Sequence, residues 1–324
     1  MPADSTAPRA DNGRWSLAFG DAVGDLGLAA DELPRAAARP VMLSILMPVY
    51  NEERTLRRAV EAVLNQRYPV DIELRVVQDG STDSTREILD EIQDPRMFVH
   101  EHPRNLGKGA AIVFAAMQAR GSHIVPFDAD LEYSASDLPR MLAPIIAGRC
   151  DVVFGTRMFG MYSSYQSYPQ AVGNRAMTLA TNLLFNCYLS DVHTCLKMMP
   201  LELFLSLDLR ERGFGLDAEL TARLLQRGIR PFEVPVSYHS RSVADGKKIT
   251  WRDGLHCLRV LGRVRRGQPQ CLSDDRGFPA PVATSRRPIH SVLGGRLGQR
   301  DTASHVSGAR EEDRDATPDV VSAP

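Results

Sequence analysis

The chain has 324 residues, 43% of them hydrophobic and 24% charged, with a formal net charge of -1 at pH 7. Such values fit a soluble globular protein with one large domain or two small ones, and the charge balance excludes a broadly basic nucleic-acid-binding surface. Five scattered cysteines (Cys150, Cys187, Cys195, Cys257 and Cys271) match no zinc spacing, so reduced thiols in a cytoplasmic protein are expected.

Residues 1–40 carry acids and prolines before any apolar run, which implies no secretory signal and a disordered or weakly ordered extension. From residue 41 to 266, strand and helix patterns alternate. Val41–Pro48 reads as a buried strand stopped by proline, after which Asn51 can cap a helix with acidic Glu52 and Glu53 in its first turn and an apolar stripe of Leu56, Ala59, Val60, Val63 and Leu64. A strand over Ile72–Val77 leads into Gln78-Asp79-Gly80-Ser81-Thr82-Asp83 and a helix carrying Ile88, Leu89 and Ile92. A short strand over Met97–His100 precedes Asn105-Leu106-Gly107-Lys108-Gly109 and a further helix. Next come a strand ending at Val125-Pro126-Phe127, a helix near Asp137–Ala147 and a strand over Asp151–Phe154. Pro126 falls in a strand that the pattern makes central, where it removes a ladder hydrogen bond and points to a bulge. Ala171–Leu189 reads first as a core helix; the other reading is an amphipathic helix dipping into a bilayer interface. Residues 267–324 turn to Pro, Gly, Ser, Arg and Asp without periodicity, a disordered tail. No apolar run reaches the roughly 18 residues of a membrane-spanning helix.

Strands alternating with helices at this pitch imply a mostly parallel sheet covered on both faces, with ligands bound beyond the carboxyl ends of the strands. Asp79, Asp128, Asp130 and Arg157 each follow a predicted strand and should converge there. Asp128-Ala129-Asp130 is the most telling segment. Two carboxylates at i and i+2 of an extended stretch project to one side and can grip a hard divalent cation, Mg²⁺ or Mn²⁺, together with substrate phosphates. Glu132 is either a third ligand or a helix-capping group near Ser134.

Pro48-Val49-Tyr50-Asn51-Glu52, Gln78-Asp79-Gly80-Ser81-Thr82-Asp83, Asn105-Leu106-Gly107-Lys108-Gly109 and Asp128-Ala129-Asp130-Leu131, in this order, resemble the signatures of family 2 glycosyltransferases. Downstream, Gly155-Thr156-Arg157, Gly173-Asn174-Arg175, Asp191–Lys197, Gly213–Glu219 and Val234–Gly254 are similar to the dolichyl-phosphate mannosyltransferase group. The resemblance covers about residues 42–266. It implies an α/β protein of the GT-A (nucleotide-diphospho-sugar transferase) fold and an inverting, metal-dependent enzyme. Three departures stand out: Gln78 replaces the first of two usual aspartates, Glu132 sits where relatives carry Gln, and Ser240 replaces Pro or Gly.

The resemblance assigns Pro48, Tyr50, Glu52, Asp79, Lys108, Asp128, Ala129 and Asp130 to the donor, a nucleotide-diphosphate sugar, with Asp128, Asp130 and Glu132 at the metal. Lys108 reaches a phosphate or covers its loop. A polyprenyl phosphate or other lipid acceptor is already anionic, so it needs positioning cations and no base; Arg157, Arg175, Arg241 and Lys247 suit that task, with Lys248 beside them. Asp130, Arg157, Arg175 and Asp217 form the expected catalytic set. Asp217 and Glu219 are general bases if the acceptor is a sugar hydroxyl and orienting groups if it is a phosphate. His193 and His239 read as structural hydrogen-bonding groups. The expected activity is transfer of a hexose, mannose in the first instance, at the cytoplasmic face of a membrane, with no nucleic acid partner. The alternatives are transfer to a sugar hydroxyl and a sugar-nucleotide-binding relative without catalysis.

Overall fold

Along β1 (Met42–Val49) the residues Leu43, Ile45, Met47 and Val49 pack into one apolar cluster and Leu46 into another, so the strand is buried on both faces, as its continuous apolar run requires. The computed structural model describes residues 41–158, 163–164, 168–240 and 251–267. The expectations for residues 1–40, for the tail beyond Gly267, and for Arg241, Lys247 and Lys248 lie outside the described residues.

β1 pairs in parallel with β2 (Asp71–Asp79) and β4 (His123–Pro126), and β2 with β3 (Met97–His102). β7 (Lys197–Pro200) then runs antiparallel between β4 and β5 (Val153–Thr156), and β8 (Phe232–Pro235) lies parallel to β5 at the edge. The seven-stranded sheet has the order β3-β2-β1-β4-β7-β5-β8. A short parallel pair, β6 (Ser163–Ser164) with β9 (Tyr238–His239), stands apart from it.

One face is covered by α1 (Leu56–Asn65), α2 (Thr85–Glu91) and α4 (Leu138–Ile146), whose stripes join the cluster around Leu43 and Ile45. The other carries α3 (Lys108–Gln118), α5 (Tyr168–Phe185), α6 (Leu201–Ser206), α7 (Leu216–Gln226) and α8 (Trp251–Arg265). A mostly parallel sheet between two helical layers is the arrangement expected from the sequence.

Several local expectations change. The first helix begins at Leu56, five residues beyond Asn51. Asn51 adopts φ +53, and its Oδ1 accepts from the Thr82 backbone N–H at 2.8 Å, so it joins two loops and caps no helix. β2 extends through Gln78 and Asp79, and β5 begins at Val153 and takes in Gly155 and Thr156. Pro126 ends β4 without a bulge. Phe127 N–H donates to Leu46 O on the β1 side, whereas pairing with β7 stops at Ile124, so the missing N–H of Pro126 forfeits no ladder bond. α5 is not a core helix. Of the apolar residues that suggested one, only Phe185 is buried, while Leu179 and Leu183 are 59% and 74% exposed.

Candidate active site at the carboxyl ends of the strands

The loops after β1 and β2 fasten to each other. Asn51 N–H donates to Ser81 Oγ, Glu52 N–H to Thr85 Oγ1 and Glu53 N–H to Asp83 Oδ2, while Ser84 N–H donates back to the Glu53 carboxylate. Pro48, Tyr50 and Glu52 are left half-buried along this seam, with Glu52 Oε2 accepting from Thr55 Oγ1. Asp79 ends β2 almost fully buried. Its Oδ1 accepts from Leu106 N–H at 2.9 Å and lies 2.7 Å from His102 Nδ1, and its Oδ2 accepts from Gly107 N–H at 2.8 Å. Gln78 makes the equivalent turn on its own side, Oε1 accepting from Gly80 and Ser81 N–H groups. Asp79 thus holds the loop that leads to Lys108, and Gln78 holds the loop after β2. Gly107 has φ +100, and a Cβ there would lie 2.5 Å from Arg212 O, so both its conformation and its contact require glycine.

Lys108 opens α3 and directs its ammonium to Asp128 Oδ2 at 2.6 Å, with Cys195 Sγ 3.7 Å away. Burial opposes the charge on Lys108, but Asp128, Cys195 and Asp217 outweigh it and hold the group well above its ordinary range. Asp128 follows β4, Ala129 is buried, and Asp130 Oδ1 accepts from Glu132 N–H at 3.0 Å. Leu131 between them adopts φ +60, a conformation costing a branched side chain roughly 1 kcal/mol or more. The loop holding the acidic pair is therefore a strained, fixed turn. Glu132 is drawn to the other side: its Oε2 accepts from Tyr238 Oη at 2.8 Å. Among the described residues no group of three or more His, Cys, Asp or Glu converges as a metal cluster. Asp128 and Asp130 are all-oxygen donors, and Asp128 already faces a cationic group. They fit a hard cation such as Mg²⁺ or Mn²⁺ whose remaining positions are filled by ligand phosphates and water.

Arg157 follows β5 and is buried against Asp191. Nε donates to Oδ2 at 2.6 Å, Nη2 donates to Oδ1 at 2.7 Å, and the guanidinium lies 4.9 Å from the Tyr238 ring centroid. Burial opposes ionisation of Asp191, but Arg157 outweighs it and holds the carboxyl below the usual range. Arg175, exposed on α5, borders a small, mostly apolar cleft of about 90 Å³ together with Met158, Ala171, Asn174, Thr178, Ser190 and Asp191. Arg175 and Asp191 therefore border one cleft, and Arg157 is tied to it through Asp191. Glu219 is fully enclosed: Oε2 accepts from Arg210 and Glu211 N–H groups and Oε1 from Arg223. It ties down the loop against which Gly107 packs and cannot serve as a base.

Residues 44–206, half of the chain, match the family model described as Glycosyl transferase family 2. The chain belongs to that family. It is 27% identical over 265 residues to the "Low-salt glycan biosynthesis hexosyltransferase Agl6" of Haloferax volcanii, covering 80% of this chain and 61% of that relative. It thus spans about three fifths of the relative's length. A second relative, the "UDP-N-acetylglucosamine--dolichyl-phosphate N-acetylglucosaminyltransferase" of Methanococcus voltae, is 25% identical over 231 residues, 64% of this chain and 90% of its own. Glucosyl-3-phosphoglycerate synthase from Mycobacterium tuberculosis, solved with Mn²⁺, UDP-glucose and phosphoglyceric acid, superposes with a TM-score of 0.53 at 20% identity, covering 76% of this chain and 86% of that one. The family 2 transferase thus has the GT-A fold, and its relatives include enzymes named for transfer to glycans and to a polyprenyl phosphate.

Two parts of this transferase carried no assignment in the sequence reading. Lys197 heads β7 with no exposure; its Nζ donates to Asp217 O at 2.9 Å and to Asp217 Oδ1 at 3.1 Å. Its signal was a lone charge inside the apolar run Leu196–Met199. Tyr133 and Tyr238 stack at 5.3 Å, and Tyr133 Oη accepts from Cys195 N–H, linking the acidic loop to the segment before β7. No sequence spacing announces this contact. His193 is pushed down to about 4 by burial and by Lys197, so it is neutral near pH 7, as a structural role requires.

Proposed function

We propose that this family 2 glycosyltransferase moves a hexose, mannose, with inversion from a nucleoside-diphosphate sugar to a polyprenyl phosphate at the cytoplasmic face of a membrane. The observation that carries the acceptor class is the state of Asp217. Its Oδ1 accepts from Lys197 Nζ at 3.1 Å, and although burial favours the neutral form, Lys197 and Lys108 outweigh that and hold the carboxyl below its ordinary range, so it is already committed to a cation and is a poor proton acceptor. Glu219 is fully engaged elsewhere. A crevice with a poor base suits an acceptor that needs none. A phosphate oxygen attacks the anomeric carbon, the bond from that carbon to the diphosphate oxygen breaks, and the nucleoside diphosphate leaves with the electron pair. No proton moves.

In this reading Pro48, Tyr50, Glu52 and Ala129 border the base and ribose, and Asp79 acts by holding the loop that delivers Lys108 to the diphosphate. Asp128 and Asp130, with Glu132 next along the loop, would hold a divalent cation, which would supply Lewis-acid stabilisation of the leaving group. Arg175 receives the acceptor phosphate in its cleft through charge-assisted hydrogen bonds. Arg157, committed to Asp191, shapes that cleft, and Arg241 and Lys247 join it by motif alone.

The exposed face of α5 supports a membrane surface as partner. Tyr168, Val172, Leu179 and Leu183 follow helical spacing around Arg175, and Leu255 and Leu258 of the adjoining α8 are exposed as well. An apolar stripe bearing a cation suits the interface of a bilayer. Among the described residues no helix is long and apolar enough to cross a membrane. The test is transfer of radiolabelled sugar from GDP-mannose and UDP-glucose to polyprenyl phosphate in vesicles. Labelled lipid from GDP-mannose is the expected product; transfer to water-soluble acceptors only overturns the lipid assignment.

A further inference from the structure

Lys197 is a fully buried cation that the transfer chemistry above does not use. Because β7 runs antiparallel to its neighbours, its first residue lies at the carboxyl ends of β4 and β5, under the crevice. Phe154 closes one side, its ring centroid 5.3 Å from the ammonium. Asp217, in the first turn of α7, closes the other with both its carbonyl and one carboxylate oxygen. The same carbonyl accepts from Thr221 Oγ1 at 2.8 Å, which fixes the helix turn. The Asp217 side chain remains 19% exposed. Removing an ammonium from water costs several kcal/mol, and an ordinary sheet position would be filled by an apolar residue at less cost. The ion pair therefore calls for a reason beyond stability.

We propose that Lys197 is a positioning residue: it anchors Asp217 from beneath, so that the exposed part of the carboxylate is a fixed acceptor for hydroxyls of the transferred sugar. The groups facing Asp217 are Lys197 of β7, Lys108 of α3, His193 and Cys195 of the segment before β7, and Cys257 of α8. Burial pulls the Lys197 ammonium below its ordinary range, and Asp217, hydrogen-bonded to it, opposes that shift. Lys108 is shared with Asp128, which leaves Lys197 as the partner dedicated to Asp217. Lys197 holds Asp217 at one carboxylate oxygen and at its backbone carbonyl, so a loss of alignment of the sugar reads out mainly in turnover. This inference rests on the glycosyl-transfer reading and not on the identity of the acceptor.

The experiment compares Lys197→Met, Asp217→Asn and the double variant with wild type, using whichever acceptor the wild type turns over. Methionine preserves the stem's volume and removes the charge. We expect kcat to fall about 100-fold in Lys197→Met, the loss typical of a misaligned reacting group, with nucleotide Kd within about twofold of wild type. The acid limb of its rate profile moves to higher pH, because Asp217 has lost the cation that opposes its protonation. The double variant, which leaves no unpaired buried charge, should fold as stably as wild type and turn over no faster than Asp217→Asn. Unchanged kcat and pH profile in Lys197→Met overturn the proposal, as does full activity in Asp217→Asn. Should Lys197→Met fail to fold, a double variant more active than Asp217→Asn overturns it instead. A wild type that uses only hydroxyl acceptors overturns the lipid assignment and leaves these comparisons intact.

Discussion

Replacing Asp79 by alanine should loosen the donor side of the crevice by a calculable amount. The carboxylate is 2% exposed and takes N–H groups from Leu106 and Gly107 and one imidazole nitrogen from His102. Each buried donor left without a partner costs about 1–3 kcal/mol, so three of them imply a loss of at least about 3 kcal/mol. That is a large part of the roughly 5–15 kcal/mol that holds a typical domain together. Asp79→Asn keeps one acceptor oxygen but turns an NH₂ toward a backbone N–H, and should cost less than alanine while remaining clearly destabilising. The freed loop carries Lys108, so nucleotide affinity should drop with stability, by about tenfold for each 1.4 kcal/mol of lost loop ordering. Urea unfolding at pH 7 gives the stability change, and calorimetric titration with nucleoside diphosphate gives the affinity. An alanine variant less than about 1 kcal/mol below wild type, with unchanged nucleotide affinity, would show that Asp79 does not hold this loop.

Arg175→Ala should raise the KM for lipid phosphate about tenfold or more while leaving nucleotide affinity unchanged, because the guanidinium borders the cleft proposed for the acceptor and not the Lys108–Asp128 side; steady-state kinetics in vesicles checks it. Leu179→Asp with Leu183→Asp should abolish co-flotation with anionic vesicles yet leave the melting temperature within a few degrees, since both side chains are already exposed. His193 is held to about 4, below its ordinary 6.5, by burial and Lys197, so the unfolded chain binds this proton first as pH falls. Stability should therefore decline from about pH 6.5 toward 4, by at most about 1 kcal/mol per pH unit from this group, and His193→Gln should flatten that slope in urea midpoints measured across the window.

Much of the crevice was legible because it is written locally. Strands of continuous apolar residues end in Asp79, Asp128 and Arg157, and the carboxyl ends of parallel strands must share one edge. Helix limits were less legible. Asn51 and Glu52 carry every mark of a helix start, yet their polar groups find partners in Ser81, Thr82 and Thr85, about thirty residues away. A competing tertiary hydrogen bond leaves no trace in local spacing. α5 misled for the opposite reason. Val172, Leu179 and Leu183 have the period of a buried stripe, and periodicity states which residues share a face without stating what covers it. The bond from Tyr238 Oη to the Glu132 carboxylate, more than a hundred positions away, follows from the pairing of Tyr133 with Tyr238 and was not legible in local spacing.

The reversal of β7 explains why Lys197 lies beneath the crevice. A parallel strand delivers its last residue to the crevice, and the residues just beyond it are loop groups that can reach a ligand. An antiparallel strand delivers its first residue there, already inside the sheet. Lys197 therefore lies beneath the site, where it touches Asp217 and acts on a ligand only through that carboxylate. Lys108 arrives differently, at the exposed start of α3, and bonds Asp128 directly. One lysine is placed to exchange its carboxylate for a phosphate and the other to keep its carboxylate in place. If that division holds, Lys108→Met should weaken nucleotide binding and Lys197→Met should not, although each substitution removes one positive charge from the same crevice.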